Sequence, residues 1–225
     1  MFPGGSPVSN GRSMGEPTLL LWDVGGVLLT NAWDREERAT AATHFQLPLE
    51  ELERRHAEVV EEFETGQLTL QEYLSHVVFH EPRPFSEEDF AAYMRSLSKP
   101  HPAALAAALS LRKQGRYLMA TLNNESRELH EYRARTFHLG ELFEVFFVSY
   151  LTGLRKPDPG AYRLALELTA RSPEQCLFLD DRPENVRVAE ELGIPAIQVS
   201  DPERLPEALS SLGVPPGVRR PWNWG

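Results

Sequence analysis

The sequence has one cysteine, no long apolar run and fewer bases than acids, and each scarcity excludes something. A lone Cys176 cannot form an internal disulfide, and its place in Cys176-Leu177-Phe178-Leu179 marks it as a small apolar side chain packed in a core. No stretch approaches the ~20 apolar residues of a membrane helix. The first seventeen residues also lack the apolar segment of a secretory signal, so no membrane partner is expected and the cytoplasm is the default compartment. With 33 acidic against 23 basic residues, the formal net charge of −10 opposes approach to a polyanion, and nucleic acid is not an expected partner. There is no internal repeat.

What is present is the composition of a folded globular protein, 41% hydrophobic and 25% charged over 225 residues. That length suits one α/β core with a smaller insert. Residues 1–17 and 213–225, rich in Gly, Pro and Ser or ending in Trp222-Asn223-Trp224-Gly225, read as flexible tails. Short apolar runs predict strands at Leu19-Leu20-Leu21-Trp22, Tyr117-Leu118-Met119-Ala120, Val145-Phe146-Phe147-Val148, Leu177-Phe178-Leu179 and Ala196-Ile197-Gln198-Val199. Between them, residues 102–114, 125–137, 159–170 and 183–192 carry apolar residues at helical spacing, and Asp158-Pro159 offers an N-cap followed by proline at the first helical position. Strand and helix in alternation predict an α/β fold, a Rossmann-like three-layer core with a parallel sheet, over residues 18–30 and 100–212.

Residues 31–99 break the alternation, with helical patterns and no strand. Leu49, Leu52, Val59, Val60 and Phe63 make one apolar stripe, and Leu70, Tyr73, Leu74, Val77 and Val78 another. Thr69 and Ser86 are plausible caps, and Glu81-Pro82-Arg83-Pro84 reads as a connector. A helical cap inserted after the first strand is the expectation.

In open parallel sheets ligands bind beyond the carboxyl ends of the strands. Polar residues gather there in four groups: Asp23-Val24-Gly25-Gly26-Val27, Thr121-Leu122-Asn123-Asn124, Lys156-Pro157-Asp158 and Asp180-Asp181. These are the parts phosphoryl transfer needs. Asp23 can attack phosphorus and bind Mg²⁺ with its other oxygen, and Asp181 supplies a second hard ligand. Thr121 can donate to the phosphoryl group, and Lys156 can hold both the phosphate and the Asp23 carboxylate. Gly25 and Gly26 let the chain turn directly after the nucleophile. Taken alone, Asp180-Asp181 could be a turn, Lys156 a surface lysine and Thr121 a strand-end hydroxyl. Two carboxylates at adjacent strand ends, however, would repel without a cation between them.

In this order the motifs resemble the haloacid dehalogenase superfamily, within it the phosphatases whose first motif reads Asp-x-Gly-Gly or Asp-x-Gly-Asn. The resemblance spans residues 18–212. It implies Asp23 as nucleophile, Thr121 as the second-motif hydroxyl, Lys156 as the lysine and Asp181 as the acidic metal ligand. It further implies Asp180 and Asn185 in supporting roles near the metal, backbone groups of Val24 and Gly25 toward metal and phosphate, and Asn123 on the substrate side. The expected activity is Mg²⁺-dependent hydrolysis of a small phosphomonoester, with a lean toward sugar phosphates, through an aspartyl-phosphate at Asp23.

One position departs from that pattern: the second aspartate, the general acid, is replaced by Gly25. General acid catalysis is worth ~10²–10⁴ in rate. Three readings accommodate the loss: a substrate with a good leaving group, protonation by a cap residue such as Asp34, or a protein that is no phosphatase. The rivals are a 2-haloacid dehalogenase and a non-catalytic binding protein. The motif lacks the aromatic residue of the dehalogenase pattern two positions after the nucleophile. His76 and His80 have zinc-ligand spacing but no third ligand, and read as ordinary histidines. The sequence carries no signal of oligomeric state.

Overall fold

The first strand, β1 (Leu19–Trp22), is fully buried on both faces, as a mid-sheet parallel strand must be, which is why its sequence is a continuous apolar run and not an alternation. It lies at the centre of a five-stranded parallel sheet ordered β3-β2-β1-β4-β5, with β2 at Leu118–Asn123, β3 at Val145–Val148, β4 at Cys176–Asp180 and β5 at Ala196–Gln198. The computed structural model describes residues 16–217, so most of both expected tails lies outside the described residues.

Helices follow the strands in the expected alternation. They are α5 (Pro102–Gln114), α6 (Arg127–Thr136), the single turn α7 (Ser149–Thr152), α8 (Pro159–Thr169), α9 (Pro183–Glu191) and α10 (Leu205–Ser211), preceded by α1 (Arg35–His44), α2 (Leu49–Glu64), α3 (Leu70–Val77) and α4 (Glu87–Ser96). Leu20, Trp22, Met119, Leu177 and Leu179 point to one sheet face and pack with α5 and α10. Leu19, Leu21, Ala120, Leu122 and Phe178 point to the other and pack with α8 and α9. This is the three-layer α/β arrangement read from the sequence. Cys176 lies in the second of these clusters, where burial pushes its thiol up to about 12.

Helices α1 to α4 form the cap, with a hydrophobic cluster of their own built on Leu52, Phe63, Tyr73, Leu74, Phe90 and Met94. Their starts are chemically marked. Asp34, Thr69 and Ser86 each make a capping box, with Glu37, Glu72 and Asp89 respectively, satisfying backbone N–H groups that a helix start leaves open. Leu129 of α6 joins the cap cluster and so ties cap to core. His76 and His80 pair with Glu58 and Glu51 of α2, not with each other. No helix among the described residues is long and apolar enough to cross a membrane.

Candidate active site

The strand order reverses direction at β1, and the crevice beyond the carboxyl ends of β1 and β4 is where such a sheet opens. Asp23 follows β1 directly, its backbone N–H still bonded to Leu179 of β4 at 2.8 Å. Asp180 is the last residue of β4. Lys156 reaches between them, its Nζ 2.9 Å from Asp23 Oδ2 and 2.6 Å from Asp180 Oδ2, with its side chain 2% exposed.

The lysine is held from behind. Asn124 accepts from the Lys156 backbone N–H at 2.8 Å and donates to its carbonyl at 2.7 Å, so one side-chain amide fixes the loop that carries the ammonium. Asn185 donates to both oxygens of Asp180 at 2.9 and 3.1 Å, and the Arg182 N–H donates to Oδ1 at 2.9 Å. Asp180 is therefore saturated with donors. Asp181 is not: its Oδ2 accepts from Asn31 at 3.3 Å, while Oδ1 is buried with no partner. Gly26 makes that approach possible, since it has φ +68° and a Cβ there would stand 2.2 Å from Asp181 Oδ2.

Ligand atoms of Asp23, Asp180 and Asp181 all lie within 4.8 Å of one another. With all three ionised against one ammonium, the cluster carries two uncompensated negative charges. The crowding of these carboxylates in a buried site shifts their acidities. Burial pushes Asp23 up to about 8, with Asp180 and Asp181 reinforcing and Lys156 opposing. Asp181 is also raised, by burial and then by Asp180. Burial alone would lower Lys156, but Asp180 and Asp23 outweigh it and the ammonium is raised. An orphaned hard oxygen, clustered carboxylates and a charge deficit of two fit a small divalent cation such as Mg²⁺.

A cleft of about 380 Å³ opens from this cluster between core and cap. Asp23, Gly25, Asn123, Lys156 and Asn185 line its core side, and Trp33, His56, Val60, Phe63 and Glu64 its cap side. Two ion pairs cross it: Arg155–Glu64 at 2.6 Å and Arg182–Asp34 at 2.8 Å. Asp34 is thus occupied twice, as N-cap of α1 and as partner of Arg182, and is not a free acid. At Gly25 itself there is no side chain, and a Cβ there would meet the tip of the Asn31 side chain, Oδ1, at 2.8 Å.

Of the residues singled out from sequence, Asp23, Lys156, Asp180, Asp181 and Asn185 come together, and Gly25 lines the cleft beside them. Asn123 also reaches the cleft, donating to Glu125 at 3.1 Å with its Oδ1 buried and unpartnered. Thr121 is not brought to the cleft. Strand β2 runs on to Asn123, three residues beyond its expected end, and its register pairs Thr121 with Trp22. Paired neighbours share a face, so Thr121 points with Trp22 to the sheet face opposite Asp23, fully buried and with its hydroxyl unpartnered.

Sequence reasoning missed Asn124 as the clamp on Lys156 and Arg182 as a bridge to the cap, though both adjoin motif residues. It also missed Asn31, His56, Glu64 and the buried Glu125–Arg133 pair at 2.6 Å, for which no local pattern exists.

A family model described as haloacid dehalogenase-like hydrolase matches residues 17–193. The chain is 27% identical over 220 residues to flavin mononucleotide hydrolase 1 of Arabidopsis thaliana chloroplasts, covering 93% of this chain and 82% of that protein. To a sesquiterpene phosphatase of Aspergillus oryzae it is 27% identical over 185 residues, covering 80% and 89%. Among solved structures, a HAD family enzyme of Bacteroides thetaiotaomicron in complex with magnesium and inorganic phosphate matches with a TM-score of 0.67 and 25% identity, covering 81% of this chain and 93% of that one.

Proposed function

The chain belongs to the haloacid dehalogenase-like hydrolases, and we propose that it is a magnesium-dependent phosphatase that hydrolyses a small phosphomonoester through Asp23. The observation that carries this reading is the unbalanced acidic cluster, in which Asp23 and Asp180 are held by Lys156 while Asp181 keeps an oxygen without a partner. Two relatives with phosphatase-type names, and a structural neighbour holding magnesium and phosphate, support it.

Asp23 and Asp181, with the Gly25 backbone, would hold the ion. When bound, Mg²⁺ neutralises phosphoryl oxygens and the carboxylates around them. Asp23 then attacks phosphorus, forming the acyl phosphate as the ester oxygen departs. Its carboxylate is pre-oriented, with Oδ1 accepting from the Val24 N–H at 2.7 Å and Oδ2 facing Lys156. The lysine lowers the repulsion between the aspartate and the incoming dianion. Asn123 lines the core side of the cleft, toward the organic part of the substrate. Water then hydrolyses the acyl phosphate and restores Asp23.

Glycine at position 25 carries no acid and Asp34 is engaged by Arg182, which leaves the departing oxygen without an obvious proton donor among the described residues. Esters with acidic leaving groups, such as aryl, acyl or anomeric sugar phosphates, are therefore the favoured substrates. A haloacid is disfavoured, since it would bring its own carboxylate against three others.

The test is hydrolysis of p-nitrophenyl phosphate and glycerol 3-phosphate by wild type and Asp23→Asn, with Mg²⁺ and with EDTA. Turnover of the aryl ester that falls at least about 10³-fold in both the variant and EDTA is expected. Aryl turnover that survives Asp23→Asn overturns the assignment, and equal rates on both esters remove the argument from the leaving group.

A further inference from the structure

The cap carries a chain of side-chain hydrogen bonds that the proposed chemistry does not use. Arg38 pairs with Glu53 at 2.6 Å and donates to the Trp33 carbonyl at 2.6 Å, fixing Trp33. Trp33 Nε1 donates to the Tyr73 hydroxyl at 2.7 Å, and that hydroxyl stands 2.8 Å from His56 Nδ1. Proton counting fixes the direction of the last bond. An indole N–H only donates, so the phenol oxygen accepts from Trp33. Tyr73 is fully buried, and its one hydrogen has no acceptor among the described residues except His56 Nδ1. Reversing the bond would leave a buried hydroxyl hydrogen unpaired, which native interiors avoid. The proton of the ring is then on Nε2. That nitrogen has no partner among the described residues and is not sealed off, and the ring lines the cleft beside Val60 and Phe63.

Burial, more than the charged groups around it, keeps the ring neutral. Burial, then Arg38 and Arg155, outweigh Glu53 and Asp34 and push the imidazole down to about 4. An imidazole uncharged at neutral pH donates a hydrogen bond but is no replacement for the missing general acid. Since phosphorus must lie against Asp23 on the core side, the cap side of the cleft faces the leaving group.

We propose that His56 is a specificity-determining residue: a neutral ring locked by Trp33 and Tyr73 with its proton on Nε2, donating to an oxygen or ring-nitrogen acceptor in the leaving group. The recognition half of this rests on the phosphatase reading, and the tautomer does not. Tyr73 and Trp33 are positioning residues in this scheme.

Two measurements test it. A long-range ¹H–¹⁵N spectrum of the histidine rings at neutral pH should show His56 protonated on Nε2 and bare on Nδ1, with the two tautomers mixing in Tyr73→Phe. In kinetics with Mg²⁺, His56→Leu should raise KM about tenfold for 4-acetylphenyl phosphate, the loss of one hydrogen bond. It should leave phenyl phosphate, whose ring has no acceptor, within about twofold, and His56→Gln, which keeps an N–H, should recover much of the difference. A proton on Nδ1 in the wild type, or an equal loss on both esters in His56→Leu, overturns the proposal. A wild type that hydrolyses neither ester removes the phosphatase reading instead, and the ring spectrum then decides the place of the proton by itself.

Discussion

Core and cap both bury charge, and they handle it in opposite ways. At the strand ends Asp23, Asp180 and Asp181 crowd within 4.8 Å of one another around a single ammonium, an imbalance the fold leaves standing. On the cap side of the cleft and along its border the charges are paired: Arg38 with Glu53, Glu64 with Arg155, Asp34 with Arg182. Its deepest polar chain, Trp33–Tyr73–His56, is neutral and stapled by the stack of Phe63 on Tyr73 at 4.1 Å. The core is thus incomplete without a cation, whereas the cap side is balanced and offers neutral donors and apolar walls. On the phosphatase reading proposed above, charge of the substrate is read on one side of the cleft, and shape and hydrogen bonding on the other.

The comparison breaks most visibly at Lys156. Replacing it by Met removes the one cation that the described residues place inside the acidic cluster and leaves buried carboxylates without compensation, a change worth about 3–5 kcal/mol where buried pairs lose one partner. Thermal unfolding in EDTA should show a loss of that size, and Mg²⁺ should recover more stability in Lys156→Met than in wild type, because the ion takes over neutralisation. Equal Mg²⁺ gains in both proteins would mean the lysine and the ion do not share the same charge deficit.

Acid and base unfolding separate the two regions by sign. His56 titrates at about 4 in the folded protein against 6.5 for a free imidazole, so between those values the unfolded chain binds more protons. Its contribution is present above pH ~6.5 and is lost as pH falls toward 4, about 3 kcal/mol over that window at 1.36 kcal/mol per unit. Asp23 works the other way. Its folded value near 8 lies above the ordinary 3.8, so without metal the folded state holds the extra proton and stability declines as pH rises through that interval. Calorimetry in EDTA should find that His56→Gln makes stability fall more steeply between pH 4 and 6.5, where the rising His56 contribution opposes that of Asp23, and that Asp23→Asn removes the decline up to about pH 8. A variant at either site that leaves its own interval unchanged would show that the residue does not titrate as assigned.

The two regions also differ in how far their sequences could be read. The core was legible because Asp23 and the Asp180-Asp181 pair sit at strand ends and Lys156 on the loop that follows β3, and a parallel sheet brings strand ends and the loops after them to one edge whatever the distance along the chain. Asp23, Lys156 and Asp181 needed only their positions relative to apolar runs. Cap helices were legible too, since stripes and caps such as Thr69 and Ser86 are local signals. Their contacts were not, because the Arg182–Asp34 pair joins residues 148 apart and the Tyr73–His56 bond joins two helices whose facing sides no periodicity specifies. Asn124 lay in plain view next to Asn123, but its partner is a backbone 32 residues away.

Thr121 marks the one place where the core itself was misread, and it supplies the smallest effect. Placing the end of β2 at Ala120 made Thr121 look equivalent to Asp23, the first residue past β1. The actual register sets Thr121 level with Trp22, so one step on it is Leu122 that stands level with Asp23, packed among Leu21, Phe147 and Phe178. A strand residue one position away points to the other face. The hydroxyl of Thr121 therefore lies in the apolar layer under α5, buried and unpaired, where it costs about 1–3 kcal/mol of desolvation. Thr121→Val removes that hydroxyl while keeping the β-branched shape. Unfolding should show stability unchanged or raised by about 1 kcal/mol, with kcat/KM for p-nitrophenyl phosphate within about twofold of wild type. If Thr121 instead donated to the phosphoryl group, the valine would lower kcat/KM by about 10²-fold or more with little change in stability. That result would mean β2 shifts by one residue when substrate binds, moving every side chain of its last turn to the opposite face, against the hydrogen-bonded register with β1 and β3.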